Sequence, residues 1–438
     1  MQTAGSLELL QQKRLFPLFC TQFLGAFNDS LFKNALIILI AFMIQTTFTN
    51  PDTLINLCAA LFVIPVFIFS PLAGQVADKF EKSRLIQIIK VAEVFLIALA
   101  VLSLYSLSLS LLFITLFLLG TQATFFGPLK YSILPQHLAE SELIAGNGLI
   151  EMGTFIAILT GTILGGILII IPRTGTIWVS GVLSVATLMG LISSFYIPKA
   201  NAAAARLKIE WSPFREASAI LKTAHQNHTI FVSIIGISWF WFYGSIFLTQ
   251  MGNYTKQILG GVGSVTTILL TMFSIGIGFG SVLCDKLSKQ KMAMGLVLFG
   301  AIGLSVFAID FSFANSPLPS HPLNLVEFLH YGQNWRVLLD GFLMGMFGGF
   351  YQVPLYTLMQ NLSAPARRSR IVAANNIMNA IFMTLAALLA IVILNLGFSI
   401  PQLFLFTGIL NAFVGLYLVK GVPQFLSAFL AWIHFRNK

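Results

Sequence analysis

Two long apolar segments near the start of the chain are joined by a charged loop, Gly74-Gln75-Val76-Ala77-Asp78-Lys79-Phe80-Glu81-Lys82-Ser83-Arg84. A similar stretch follows 207 residues later, where Cys284-Asp285-Lys286-Leu287-Ser288-Lys289-Gln290 matches residues 77–83. Both stretches come after the second long apolar segment of one half of the chain. The match predicts an internal duplication in which Asp78 and Asp285 hold equivalent positions.

Two further matches follow the loop in the same order along both halves. They are Tyr131 with Tyr356, at an offset of 225 residues, and Asn147-x-x-x-Glu151 with Asn375-x-x-x-Asn379, at an offset of 228. The offset grows because the second half contains an extra polar loop, 314–335. A duplication with one insertion produces this pattern, whereas chance similarity would not keep the order.

The composition indicates an integral membrane protein. Of the 438 residues, 57% are hydrophobic and 9% are charged, and the mean hydropathy is +0.87. Soluble domains usually have about 25% charged residues, so this chain has too few charges to cover a soluble globule. A cytosolic enzyme and a nucleic-acid-binding protein are therefore excluded. The three cysteines lack metal-ligand or disulfide spacing, and no phosphate-binding loop occurs, so we expect no metal, cofactor or ATP-driven pumping.

Twelve segments are long and apolar enough to be predicted as membrane-spanning helices, which need about 20 residues each. They lie near 15–46, 53–77, 86–107, 109–131, 143–171, 175–197, 229–252, 262–284, 292–313, 336–359, 371–396 and 399–420. The predicted fold is an all-α membrane protein with two pseudo-symmetric six-helix halves. Along the chain we expect an N-terminal half (1–197), a basic cytoplasmic linker (198–228), a C-terminal half (229–421) and an amphipathic cytoplasmic tail (422–438).

The distribution of Lys and Arg predicts the orientation in the membrane. Of the 25 cations, 21 fall on one side of the predicted spans, among them Lys90, and three fall on the other side. The remaining one, Lys33, lies inside the first span. Positive residues favour the cytoplasmic side, so both termini are expected there. Anionic lipids of the inner leaflet are the expected partners of this basic surface.

Two parallel six-span halves joined by a linker are the layout of the major facilitator superfamily, and the loop at 74–84 resembles that superfamily's Gly-x-x-x-Asp-basic-x-x-basic-basic motif. The resemblance implies a latch in which Asp78 sits at the N-terminus of a partner helix and pairs with a basic residue. The residues assigned to this latch are Gly74, Asp78, Lys79, Lys82, Arg84 and, in the second half, Asp285. One departure is Phe80-Glu81 before Lys82, where many members have glycine.

Four finer motifs resemble the lysophospholipid transporter family. They are residues 22–29 (QFLGAFND), 127–134 (GPLKYSIL), 145–151 (AGNGLIE) and 348–355 (GGFYQVPL). The resemblance implies transport of lysophosphatidylethanolamine and lysophosphatidylglycerol from the outer to the inner leaflet of the bacterial inner membrane. It also implies a partner acyltransferase, which is fused to the transporter in some relatives. No His is followed five residues later by Asp here, so we expect that enzyme to be a separate protein.

Ionisable residues inside a span are candidates for function. Asp29 and Lys33 lie on one face of the first span at a spacing of four. They could neutralise each other as a structural pair, or meet a zwitterionic head group, with Asp29 taking the amine or a coupling cation and Lys33 the phosphate. Relatives have a cation in the seventh span where Leu248 stands here. Lys33 is therefore the predicted substitute, with Lys130 as the second choice.

Further polar residues inside the spans are candidates either for lining a central cavity or for interhelical hydrogen bonds. They are Asn28, Gln122, Asn147, Glu151, Gln352, Asn375 and Asn379. Glu93 has no evident partner in the sequence and is interpreted as structural or interfacial.

Three functions fit these observations, and none of them is enzymatic. The first is lysophospholipid transport by alternating access. The second is proton-coupled export of drugs, siderophores or other amphiphiles, in which Asp29 and Glu151 would carry protons. The third, a membrane scaffold for an acyltransferase, is disfavoured because a scaffold has no need for charges in the middle of the membrane.

Overall fold

The computed structural model describes residues 6–43, 51–288, 293–314, 319 and 321–436. Within these residues the chain folds into twelve long helices of 20–30 residues, numbered here in chain order. They are α1 (Phe16–Ile38), α2 (Pro51–Lys79), α3 (Lys82–Ser106), α4 (Leu109–Ser132), α5 (Leu143–Ile169), α6 (Gly175–Ser194), α7 (His228–Gln257), α8 (Gly263–Ser288), α9 (Ala293–Phe313), α10 (Asn334–Leu362), α11 (Arg368–Asn395) and α12 (Ile400–Gly421).

Shorter helices occupy the connections. A linker helix (Pro213–Gln226) precedes α7, and a tail helix (Gln424–Arg436) follows α12. The remaining short pieces are Ser6–Leu9, Leu134–His137, Glu140–Glu142, Leu325–His330 and Pro365–Arg367, with a wider turn of helix at Leu39–Met43.

Each predicted span coincides with one of the long helices, which confirms the all-α membrane fold class. Among the described residues, eleven helices are long and apolar enough to cross a membrane. The remaining long helix is α10, whose polar residues lower its hydropathy although most of the helix is buried. The predicted end of the first span at residue 46 and the start of the ninth at residue 292 lie outside the described residues.

The packing of the helices repeats between the two halves. In the first half α1 packs on α5 and α6, α2 on α4, and α3 on α6. In the second half the equivalent pairs pack together: α7 on α11 and α12, α8 on α10, and α9 on α12. The duplication read from the sequence therefore corresponds to two similarly packed bundles.

The two bundles meet mainly along two helix pairs, α2 with α11 and α5 with α8, and less extensively where α4 meets α11 and α5 meets α10. Glycines permit a close approach at both main pairs. A Cβ placed on Gly74 of α2 would lie 2.8 Å from the Cβ of Ala373, and one placed on Gly148 of α5 would lie 2.4 Å from the carbonyl oxygen of Ser281. Side chains at these two glycines would therefore push the halves apart.

The linker lies against one end of the bundle, called the linker end below. Its chain is hydrogen-bonded to the adjoining ends of α2 and α3: Lys82 N donates to Ala200 O at 3.0 Å, and Ala204 N donates to Asp78 O at 2.8 Å. The linker helix packs on α2, α7 and α11 and buries the face that carries Ile220 and Ala224. The linker is therefore an ordered part of this end of the protein.

The tail helix packs on α9. Phe425 is fully buried, and the ring of Trp432 lies 5.1 Å from that of Phe299. Some of the apolar residues that predict an amphipathic tail thus pack against the second half.

Candidate functional site

A small cavity of about 100 Å³ lies among charged side chains of α1, α3 and α4. Its lining includes Asp29 from α1, Lys90 from α3, and Gln122 and Lys130 from α4. Asp29 and Lys130 are half-buried. The structure thus brings one carboxylate and two ammonium groups to a single cavity within the first half.

The Asp29 carboxylate keeps its hydrogen-bonding capacity. Within the described part of the chain it forms no hydrogen bond or ion pair, although the charges of Glu93, Lys90 and Lys33 lie near enough to act on it. An acceptor in this position is suited to a cationic group that enters the cavity.

Asp29 and Lys33 do not form the structural ion pair that was one of the two alternatives for them. The two residues share a helix face, but no ion pair within 4.0 Å joins them. The Lys33 ammonium instead lies 5.2 Å from the ring centroid of Phe62 on α2. A cation over an aromatic face is attracted by the ring's quadrupole. Lys33 is also not among the residues that line the cavity.

The assignment of Lys90 to the cations on the cytoplasmic side of the spans is wrong, and Glu93, for which the sequence shows no partner, has one in the structure. Lys90 does not lie at the membrane surface: it sits eight residues into α3, roughly 12 Å from the start of that helix. Its ammonium forms an ion pair with Glu93 at 2.6 Å, and both side chains are at most 2% exposed. The i, i+3 spacing of Lys90 and Glu93 was the signal in the sequence that could have predicted this pair.

Glu93 is the centre of a polar network that joins four helices. Gln122 donates to one of its carboxylate oxygens at 2.9 Å, and Asn28 donates to the other at 3.2 Å. Asn28 also donates to Thr187 of α6 at 2.8 Å. Two predicted site residues, Asn28 and Gln122, therefore hold Glu93, and Gln122 also reaches the cavity.

A second group of polar residues lies between the halves toward the linker end. The hydroxyl of Tyr131 donates to Glu151, a fully buried carboxylate of α5. The ring of Tyr131 stacks on that of Tyr356 from α10, with centroids 4.4 Å apart. Lys130 donates to Thr154 at 3.4 Å, which places this group beside the cavity.

Asn147 crosses from the first half to the second. Its amide nitrogen donates to Gln360 at 2.7 Å and to Thr357 at 3.1 Å, and Gln360 donates in turn to the carbonyl oxygen of Tyr131 at 3.1 Å. Asn147 is therefore engaged between the halves in this conformation. The sequence does not indicate Gln360 as a partner, since nothing in the spacing of α10 distinguishes it.

The predicted counterparts in α11 belong to the same region. Asn379 lies 2.9 Å from the hydroxyl of Ser238, and its amide can also take bonds from Trp241 and Asn375. Gln352 is 1% exposed, and neither of its amide atoms has a hydrogen-bond partner within the described residues. The hydrogen-bond partners of Asn379 lie in the second half, and the cavity lining includes neither Asn379 nor Gln352.

Asp78 occupies the N-terminus of α11. One carboxylate oxygen accepts from the backbone N–H of Ser369 at 2.9 Å, and the other accepts from the Nε of Arg370 at 3.1 Å. The negative charge thus meets the positive end of the helix and a guanidinium together. This is the geometry that the loop motif implied for Asp78.

Only some of the other residues assigned to the latch lie close to Asp78 or α11. Gly74 contacts α11 directly, and the buried Lys82 lies within electrostatic reach of Asp78. The ammonium of Lys79 lies over the ring of Phe80. Arg84 is exposed and has no hydrogen bond or ion pair among the described residues, so the structure does not bring it into the latch. Asp285 is half-buried near the end of α8.

The sequence model of the Major Facilitator Superfamily matches residues 18–329, which is well over half of the chain. The chain belongs to the major facilitator superfamily. It is a multi-pass membrane protein and a transporter of this superfamily's type.

Among curated proteins, the chain is similar to lysophospholipid transporters. One from Serratia proteamaculans is 27% identical over 359 residues, which covers 80% of this chain and 81% of the relative. One from Escherichia coli O157:H7 is 28% identical over 356 residues, with coverage of 80% and 81%. The family resemblance of the sequence motifs is thereby confirmed.

Solved transporters share the fold at low sequence identity. The Escherichia coli fucose:proton symporter aligns with a TM-score of 0.68 and 14% identity over 94% of this chain and 99% of its own. A human organic anion transporter aligns with a TM-score of 0.70 and 11% identity over 93% and 99%. These alignments confirm the major facilitator fold and carry no information about the substrate.

Proposed function

We propose that this protein transports lysophospholipids, with lysophosphatidylethanolamine and lysophosphatidylglycerol as cargo, by alternating access around the cavity that Asp29 and Lys130 line. The similarity to named lysophospholipid transporters supports the class of substrate. The observation that carries the proposal is the charge arrangement at the cavity, where a carboxylate without an ion pair and an ammonium face the same space. A zwitterionic head group offers the complementary charges.

The proposed membrane is the bacterial inner membrane, with the linker end and both termini in the cytoplasm. Positive residues favour the cytoplasmic side, and 21 of the 25 cations in the sequence lie on that side of the predicted spans, although Lys90 itself is buried. The proposed direction is from the outer to the inner leaflet. A separate acyltransferase on the cytoplasmic side would then restore the missing chain.

The conformation described here fits the outward-facing step of this cycle. The halves are joined toward the linker end by Asp78 with Arg370, by Tyr131 with Tyr356, and by Asn147 with Gln360. A one-chain lipid could reach the cavity sideways between helices of opposite halves. Its acyl chain would stay in the bilayer while its head group entered the protein, because the cavity holds only a few water molecules or one head-group moiety.

A proton-coupled exporter of amphiphiles is the second candidate. The observation that favours it is the buried Glu151 carboxylate, which accepts a hydrogen bond from Tyr131 and is a suitable proton carrier in a membrane protein. In this case transport would run outward and would stop when the proton gradient is collapsed.

Uptake of labelled lysophosphatidylethanolamine into spheroplasts, with and without this protein, tests the proposal. We expect faster labelling of the inner leaflet when the protein is present, and a variant with Asp29→Asn should remove the difference. Equal labelling with and without the protein would reject lysophospholipid transport. Gradient-dependent efflux of an amphiphile would then favour the exporter.

A further inference from the structure

The ammonium of Lys90 reaches the cavity through a gap left by two glycines. A Cβ placed on Gly25 of α1 would lie 2.9 Å from Lys90 Nζ, and one placed on Gly190 of α6 would lie 3.6 Å from it. The side chain of Lys90, from α3, thus passes between α1 and α6. Its end lines the same space as Asp29 and Lys130.

Lys90 has more donors than the protein uses. A lysine ammonium has three N–H donors, and within the described chain it donates one hydrogen bond, to Glu93. The ammonium also lies 5.6 Å from the ring centroid of Phe126. Since Lys90 is only 1% exposed, its other donors have neither bulk water nor a protein oxygen acceptor within the described residues. Buried donors of this kind are costly unless a ligand takes them.

Glu93 holds this ammonium in place. The carboxylate accepts from Asn28, Gln122 and Lys90 together, so its position is fixed by three helices. A lysine held by such a carboxylate keeps its rotamer before a ligand arrives, which reduces the reorganisation that binding requires.

We propose that Lys90 is a phosphate-binding residue of the transport site, with Glu93 as its positioning residue, and that Lys33 does not bind the phosphate. The assignment rests on the proposed function and deepens it. Lys90 and Lys130 would donate to the phosphate oxygens of a lysophospholipid, while Asp29 accepts from the amine. The ligand chemistry is therefore a phosphomonoacyl lipid and not an uncharged monoacyl lipid.

Two variants separate a binding role from a purely structural one. Lys90→Met/Glu93→Gln removes both charges and retains side chains of similar length, so no buried charge is left unpaired. The exchange Lys90→Glu/Glu93→Lys retains an ion pair but places the carboxylate at the cavity. The matched control is Arg336→Gln/Asp310→Asn, which removes an exposed ion pair between α9 and α10.

The measurement is equilibrium binding of three probes of equal chain length to the full-length protein in nanodiscs. The probes are lysophosphatidylethanolamine, lysophosphatidylglycerol and monoacylglycerol, and folding is checked by the thermal midpoint. We expect both Lys90 variants to fold and to weaken binding of the two phospholipids by about tenfold or more, as for the loss of a charge-assisted hydrogen bond. Binding of monoacylglycerol should be unchanged in these variants. The control variant should bind all three probes as the wild-type protein does.

The outcomes distinguish this inference from the proposed function. If wild-type protein binds the lysophospholipids and the Lys90 variants bind them equally well, Lys90 is not the phosphate ligand and the proposed function stands. The neutral double variant could unfold while the exchange variant folds and still binds lysophospholipids better than monoacylglycerol. This result would also show that Lys90 is not the phosphate ligand. Failure of the wild-type protein to bind either lysophospholipid overturns both proposals.

Discussion

The rings of Tyr131 and Tyr356 stack face to face across the two halves, with centroids 4.4 Å apart and an angle of 7° between the planes. These two residues are equivalents in the internal repeat, 225 positions apart in the sequence. Equivalent residues that touch each other must lie close to the pseudo-twofold axis. The ring pair therefore marks the axis at the point where the halves are joined, and it must separate when the linker end opens.

Replacing either tyrosine should favour opening at the linker end. Tyr131→Ala and Tyr356→Ala should each lower the closed population, and the double variant should differ little from the single ones, because an aromatic pair contributes about 0.5–1.5 kcal/mol beyond its buried area. Spin labels at the exposed positions Ala139 and Ala366 report the distance between halves. If the double variant shifted the closed population by the sum of the two single shifts, a direct coupling between the two rings would be contradicted.

Asp78→Asn should also shift the balance toward opening at the linker end, while the protein stays folded. The carboxylate accepts from the N-terminus of α11 and from Arg370, and a hydrogen bond to a charged group contributes about 1.5–3 kcal/mol. The change corresponds to a tenfold or larger shift in population, read from the same spin labels. Arg84→Gln is the control, since Arg84 is exposed, and a shift of equal size in that variant would contradict the assignment.

Asp29→Asn should reduce lysophospholipid uptake at least tenfold at near-normal expression. Asp29 has no direct ion-pair partner among the described residues, so the change leaves no buried cation stranded, yet it removes the acceptor for the amine. Adding Lys33→Gln should not restore uptake. Asp310→Asn is the control, because this carboxylate pairs with Arg336 away from the cavity. Restored uptake in the Asp29/Lys33 double variant would refute the proposed site.

Docking of the linker helix should depend on pH through Glu216. Burial raises the pKa of this carboxyl group, although Arg370 acts in the opposite direction, and Glu210 raises it further. The docked helix thus binds the proton more tightly than the free helix. Docking should be most favourable below about pH 4.3, the ordinary value for glutamate, and should weaken as the pH rises through the raised pKa.

Hydrogen exchange of the linker-helix amides, corrected for the intrinsic effect of pH, measures this docking. Glu216→Gln should remove the pH dependence, because the amide does not titrate. The same pH dependence in wild type and in the variant would show that other groups control the docking.

The orientation can be tested with single cysteines. In a chain whose three native cysteines are replaced by serine, a cysteine at Gly332 should react with an impermeant thiol reagent added from the periplasm. A cysteine at Ala205 should not react. Both positions are exposed in the structure, so accessibility depends on the side of the membrane. The opposite pattern of labelling would reverse the orientation predicted from the cations.

The fold could be predicted from the sequence because the bilayer imposes a length on each apolar segment, and because the duplication repeats recognisable residues. The position of Asp78 followed from a loop motif whose geometry is local. Lys33 could not be placed in the same way: its helix face was evident, but the ring of Phe62 comes from another helix. The contact of Asn147 with Gln360 likewise depends on how the halves meet.

Lys90 and Glu93 show a different reason why a contact could not be predicted from the sequence. Counting cations on each side of the predicted spans treats any lysine near a span boundary as a surface residue. Lys90 lies in the third span as read from the sequence, but only the packing of α1, α4 and α6 around it shows that it is buried. The polar partners that stabilise the pair come from distant parts of the chain, which a single sequence does not connect.

The polarity of α10 has a consequence for how the protein is made. At the centre of a membrane helix, each Leu or Phe favours insertion by about 0.3–0.6 kcal/mol, whereas an Asp opposes it by about 2.5–3.5 kcal/mol. α10 carries Asp340, Gln352 and Gln360 and is enclosed by α7, α8 and α9. We expect the nascent helix to leave the translocon only when its neighbours are already there to receive it. A more apolar α10 would insert more readily alone, but without Gln360 it would lose the contact that joins it to Asn147.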